Sequence, residues 1–210
     1  MTIRLLLVAH AATAAMRSGR FPGDAPRDAV DLRRAGDQAA LAALRERLPA
    51  AGEAAALCSP AACARDTAAA LGLPAQEEAG LADMDYGRWQ GRRLDDFGVD
   101  EAAQLAQWSR DPRAAPHGGE SFEAVLARVG AWLDGLDRID MPSGIIGAAG
   151  RVVIAVTHAP VIRAAAIHAL NAPPASFARI EVAPLSVVEL RRAGRVGGWR
   201  WWTGAVDGRL

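Results

Sequence analysis

The chain has 210 residues, 51% of them hydrophobic and 23% charged, which is enough for one ordinary domain with a sizeable core, and its formal net charge is zero. No global field therefore recruits nucleic acid, an anionic membrane or an acidic partner, and any anion must be met by local charge. The longest apolar stretches fall short of the roughly 18 residues that span a bilayer, and Met1 to Val8 is too short and too weakly charged at its start for a signal peptide.

The basic residues are all arginines and alanine is abundant in every segment, a pattern of genomic codon bias that discounts arginine clusters generally. Cys58 and Cys63 lie five positions apart with no histidine at metal spacing, so they form neither a zinc motif nor a disulfide framework. A reduced, cytoplasmic setting is expected.

The first element is the apolar run Leu5 to Ala9, which stops at His10 and reads as a buried parallel strand. His10 then stands at the carboxyl end of a strand, where open α/β sheets bind ligands. Arg17 to Asp24 is rich in turn formers and is expected to be a loop over the strand ends. Ala35 to Leu48 carries leucines at 41, 44 and 48 on one face and reads as an amphipathic helix. Ala54 to Leu57 is a short strand, after which Ser59 caps a helix with Pro60 at its first position, running to Leu71 and ending at Gly72. The amino end of that helix is a potential anion site.

Gly80 to Gly91 has no clean periodicity and reads as an irregular loop. Asp95 to Trp108 is expected to be helical with Trp108 buried, followed by a loop through His117-Gly118-Gly119-Glu120. Ser121 opens a helix whose apolar residues Val125, Val129, Trp132, Leu133 and Leu136 keep helical spacing. Met141 to Gly150 reads as a flexible connection before a second strand, Arg151 to Thr157, which again ends in a histidine, His158. Pro160 opens a helix through Leu170, and Ser186 to Leu190 with Trp199 to Trp201 suggest a closing antiparallel pair. The tryptophans there are expected to cover an edge or a subunit contact.

In order, these segments resemble the histidine phosphatase superfamily, the phosphoglycerate-mutase-like group that includes α-ribazole phosphatases. Val8-Ala9-His10-Ala11-Ala12-Thr13 resembles its Arg-His-Gly-Glu-Thr signature, and Gly19-Arg20-Phe21-Pro22-Gly23 the loop that follows. Cys58 to Ala68 is similar to its Ser-Pro-Leu-x-Arg-Ala-x-Gln-Thr-Ala helix start, Asp83 to Gly91 to the segment carrying its acid, Gly118 to Ser121 to its Gly-Gly-Glu-Ser loop, and Val156 to Arg163 to its second-histidine motif. The resemblance implies one domain over residues 1–210, of α/β class: a three-layer α/β/α fold with a mostly parallel central sheet.

The resemblance also implies a mechanism. His10 attacks a phosphomonoester, Asp83 protonates the leaving oxygen, His158 stabilises the phosphoryl group, and Arg20, Thr13, His117 and Glu120 contribute to substrate binding. No metal or cofactor is expected; the partner is a small molecule, phosphorylated or not, with a homodimer as an alternative assembly, and neither nucleic acid nor membrane.

The departures fall on the chemistry. Ala9 and Cys63 stand where the family has its two phosphate-clamping arginines. With those cations gone, His10 and His158 should protonate more easily. Arg17, Arg20 and Arg65 are the candidate replacements, Arg20 first, because Arg65 lies two helical residues beyond Cys63 and points about 200° away. Three readings stay open: a degenerate pocket with weak or absent phosphomonoesterase activity, an active phosphatase with relocated cations, and an enzyme of another class using His10, His158 and Asp83 for acid/base chemistry.

Overall fold

The structure, a computed structural model, describes residues 2–23, 29–30, 32–50, 52–138, 146–147, 150–194 and 197–204. In chain order these form β1 (Thr2–Ala9), a single helical turn α1 (Ala14–Arg17), α2 (Ala35–Arg47), β2 (Ala55–Cys58), α3 (Ala62–Ala70), β3 (Gln76–Glu77), α4 (Val99–Trp108), α5 (Phe122–Gly135), β4 (Ile146–Gly147), β5 (Gly150–Thr157), α6 (Ala159–Leu170), β6 (Val187–Ala193) and β7 (Trp199–Trp202). The sheet runs β3-β2-β5-β1-β6-β7, with β4 paired to β5. Pairings from β3 to β1 are parallel; those of β6 with β1 and with β7 are antiparallel. The sheet is therefore mixed, its parallel half carrying both histidines.

Alternation along β1 shows why its run is apolar on both sides. Ile3, Leu5, Leu7 and Ala9 enter one core with Val125, Val129 and Leu133 of α5 and Val161, Ile162 and Ala165 of α6. Leu6 and Val8 enter the other with Leu41, Leu44 and Leu48 at α2 and Ala64 and Ala68 of α3. Helices on both faces make the three layers, and each buried leucine contributes roughly 1.5–3 kcal/mol.

Some boundaries differ from the sequence reading. α3 begins two residues after Pro60, with Ala61 rather than Ser59 at its N-cap. The Ser59 hydroxyl accepts from Ala61 N at 3.2 Å, a turn that leaves the oxygen available to His158. α4 begins at Val99 rather than near Asp95, because Phe97 takes an extended backbone that carries its ring against Phe21 and Trp89 at 5.9 and 5.3 Å. Trp108 is half-buried, not buried, lying at the outer side of the same aromatic group. Most of the expected flexible connection from Met141 to Gly150 lies outside the described residues, but Ile146–Gly147 forms a short antiparallel pairing with β5. At the far edge Trp199 is buried, while Trp201 and Trp202 remain exposed. Among the described residues no helix is long and apolar enough to cross a membrane.

Candidate active site

Parallel pairing of β1 and β5, with Ala9 opposite Thr157, brings the two terminal histidines side by side. Their rings meet edge to face at 5.0 Å. Backbone bonds continue the ladder past the strand ends, His10 N to Thr157 O and Ser59 N to Val156 O, each 2.9 Å. The ends of β1, β2 and β5 thus form one rim. A cavity of about 480 Å³ opens there, and its lining includes His10, Thr13, Cys63, Arg65, Asp83 and His158.

His10 Nδ1 lies 2.8 Å from the Ala11 carbonyl oxygen. A carbonyl can only accept, so Nδ1 carries the proton and Nε2 presents its lone pair. The Ala11 turn is fixed in its own right, because its N–H donates to Thr67 Oγ1 at 3.0 Å and that hydroxyl donates to Cys63 O at 2.7 Å. His158 is buried, with Nε2 hydrogen-bonded to Ser59 Oγ at 2.8 Å and Nδ1 3.3 Å from Asp83 Oδ2. Burial, with a smaller contribution from Arg128, pushes the His158 imidazole down to about 3. The easier protonation expected from loss of two arginines is absent at His158, where desolvation dominates and the ring is neutral at ordinary pH.

Asp83 shows the opposite effect of the same burial, its carboxyl raised to about 6 by desolvation against the weaker pull of the Met84 N–H, His10 and Arg128. It is thus a carboxylic acid that keeps its proton well above the usual carboxylate range, up to about pH 6. Two side chains place it. Arg128 of α5 donates to the carbonyls of Gly80 at 3.2 Å, Ala82 at 3.1 Å and Asp83 at 3.3 Å. Thr157 Oγ1 donates to Leu81 O at 2.7 Å from the end of β5. Arg128 was not singled out from sequence, since the carbonyls it binds lie more than 40 residues away in the chain and no local spacing announces them.

The other expected site residues divide. Thr13 lines the cavity and accepts from Met16 N at 3.2 Å, capping α1. Glu120 is engaged by Arg128 at 3.1 and 3.0 Å and lies outside the cavity lining. His117 is buried against Trp89, centroids 4.9 Å apart, with Nδ1 accepting from Gly119 N. It organises a loop crossing so close that a Cβ at Gly119 would lie 2.1 Å from Asp85 O. Arg20 lines a neighbouring cavity beside α4 and donates to Gly91 O at 3.1 Å. Arg17 donates to Ala12 O at 2.9 Å and pairs with Asp37. Arg65, expected to point away, instead borders the His10 cavity, bound to Pro60 O at 2.8 Å and Glu77 at 3.3 Å.

The opposed titrations of Asp83 and His158 have a consequence for stability. As pH rises from about 4 to 6, the unfolded chain releases the Asp83 proton before the folded protein does, so this group lowers stability with rising pH. From about pH 6.5 down to 3 the unfolded chain takes up a proton that folded His158 refuses, so this group lowers stability with falling pH. The slopes cancel where they overlap. Asp83→Asn is expected to stabilise the protein by about 1–3 kcal/mol near pH 7.5, to give no gain below about pH 4, and to unmask a stability that climbs through the window between. Urea denaturation across that range measures this, and an Asn variant no more stable than the wild type near pH 7.5 would contradict a costly buried carboxylate.

A profile of the Histidine phosphatase superfamily (branch 1) matches residues 5–203. A bifunctional protein of Mycobacterium tuberculosis is 32% identical over 199 residues, covering 91% of this chain and 51% of that relative, so the chain spans about half the relative's length. A glucosyl-3-phosphoglycerate phosphatase of Mycolicibacterium vanbaalenii is 33% identical over 178 residues, 81% of this chain and 75% of the relative. Among solved structures, a mycobacterial glucosyl-3-phosphoglycerate phosphatase in complex with VO3 superposes with a TM-score of 0.77 at 26% identity, covering 96% of this chain and 98% of the other. With both histidines at one sheet edge and a profile match along nearly its whole length, the chain belongs to the histidine phosphatase superfamily.

Proposed function

We propose that this pocket keeps the groups that transfer a phosphoryl moiety but has lost the charge that holds it, so that hydrolysis of simple phosphomonoesters is slow or absent. In the reaction the retained groups would perform, His10 Nε2 attacks phosphorus, the P–N bond forming as the P–O bond to the alcohol breaks and Asp83 gives its proton to the leaving oxygen. Water then attacks phosphorus, its proton passing to the Asp83 carboxylate, and the P–N bond breaks to return His10 and inorganic phosphate. The observation that carries the reading is the lining beside the histidines. Ala61, Ala62, Cys63 and Thr13 stand there, and the arginine that borders the cavity among the described residues is Arg65, half exposed and already engaged with Glu77.

An arginine on a transferring phosphoryl group is worth about 10³–10⁵ in rate. Chelator-treated protein is therefore expected to hydrolyse p-nitrophenyl phosphate with kcat/KM below about 10² M⁻¹ s⁻¹, at least roughly 10²-fold under ordinary enzymes. Glucosyl-3-phosphoglycerate joins the panel because relatives with that named activity share the fold. A second reading, an active phosphatase with Arg65 swung onto the phosphoryl group, is favoured by the position of Arg65 at the cavity mouth. Ordinary turnover that is lost in both His10→Ala and Arg65→Ala would establish it and overturn the first. A cytoplasmic location belongs to the same proposal, in keeping with two buried cysteines that form no disulfide.

A further inference from the structure

We propose that the pocket is a transition-metal site in which His10, Cys63 and His158 coordinate a borderline-soft divalent cation of the Zn²⁺ class. Each of the three offers one ligating atom, and those atoms lie within 4.8 Å of one another. They come from the ends of β1 and β5 and the first turn of α3, so the packed sheet and not a local loop sets their separation. No sequence spacing announces such a group, because its members stand more than 50 residues apart in the chain.

The hydrogen bonds around the rings suit coordination. A metal-bound histidine characteristically gives its other ring N–H to a nearby acceptor, which fixes tautomer and orientation. His10 does this through Nδ1 to Ala11 O, leaving Nε2. His158 is bonded through Nε2 to Ser59 Oγ, leaving Nδ1, and that buried nitrogen has no hydrogen-bond partner among the described residues. The orphaned atom sits 3.3 Å from Asp83 Oδ2, on the cavity lining.

The donor set selects the ion. Two imidazole nitrogens and a thiolate suit Zn²⁺ and not Mg²⁺ or Ca²⁺. Zinc bonds of about 2.0–2.3 Å place tetrahedral ligand atoms roughly 3.3–3.8 Å apart, so the side chains need close by about 1 Å. Asp83 is placed to take the fourth position or hold its water. A dication with one thiolate and one carboxylate leaves a neutral site, which limits the desolvation cost of placing charge there. Because the ion would occupy the His10 lone pair, metal binding and phosphohistidine formation exclude each other; the site itself does not rest on phosphatase activity.

The test titrates chelator-treated full chain with Co²⁺ as a spectroscopic probe and then displaces it with Zn²⁺. One equivalent of Co²⁺ is expected to give the intense visible bands of tetrahedral cobalt and a near-ultraviolet thiolate charge-transfer band. Cys63→Ser removes the charge-transfer band and weakens binding by more than about 100-fold, beyond the loss typical of an outer hydrogen-bond partner. Cys58→Ser, on the opposite core, keeps the band and so assigns it to Cys63 even where Cys63→Ser fails to fold. A wild-type protein with no thiolate band at saturating Co²⁺, or a band lost with Cys58 instead, overturns the site. These readouts do not involve turnover, so they stand apart from any result with phosphomonoesters.

Discussion

Cys63→Arg is expected to raise phosphomonoester kcat/KM by roughly 10³-fold, the lower end of what an arginine contributes to phosphoryl transfer. Cys63 is the second residue of α3 and lines the cavity beside His10 and His158. A guanidinium from that turn meets phosphoryl oxygens as a planar fork of donors, in the field of the helix amino end. It also opposes protonation of the nucleophile, since a cation nearby disfavours imidazolium at His10. Cys63→Lys should recover less, because a point charge lacks the bidentate geometry. Stopped assays on p-nitrophenyl phosphate measure the gain, and adding His10→Ala must abolish it. If the arginine variant folds and binds vanadate yet turns over no faster than the wild type, missing charge is not what limits this pocket.

The second large effect concerns the sheet that holds the site. Glu189→Ala is expected to destabilise the protein by about 3–5 kcal/mol, the cost of breaking a buried ion pair by removing one partner. Register sets Arg4 of β1 opposite Arg191 of β6, two like charges that would repel across the strands. Glu189 lies between them, accepting from Arg4 Nε at 2.9 Å and Nη2 at 3.1 Å and from Arg191 Nε at 2.6 Å. Arg191 is partly exposed and can rehydrate, but Arg4 is buried in the central strand and cannot. A loss on this scale is a large share of the 5–15 kcal/mol that holds an ordinary domain together. Arg4→Leu combined with Glu189→Leu should recover most of it, because apolar replacement of a buried pair is often neutral. Urea midpoints give the comparison; a single-variant loss under about 1 kcal/mol would show that this ion pair does not hold the two strands together.

Both predictions depend on features that differ in how far the chain discloses them. The apolar run ending at His10 and its counterpart ending at His158 were legible because strands buried on both faces must be apolar throughout. Leucines at 41, 44 and 48 and the cap at Ser121 were legible for the same local reason, helical periodicity and hydrogen bonding within a turn. The start of α4 was misread because Phe97 is drawn out of helical geometry by rings distant in sequence. Arg20 and Arg65 exchanged their expected places because an arginine head group settles on whichever carbonyl or carboxylate the folded surface offers, here Gly91 O and Glu77.

By itself, the sequence determined the order of elements, the family and both terminal histidines. Periodicity, capping and short motifs act within a few positions, and a linear chain displays them directly. The tertiary structure alone decided what those residues became: His158 a neutral, buried ring, Asp83 an acid raised to about 6, and Cys63 a thiol grouped with two imidazoles. Desolvation and ligand geometry depend on distances between segments far apart in the chain, and those distances exist only once β1, β2 and β5 lie edge to edge.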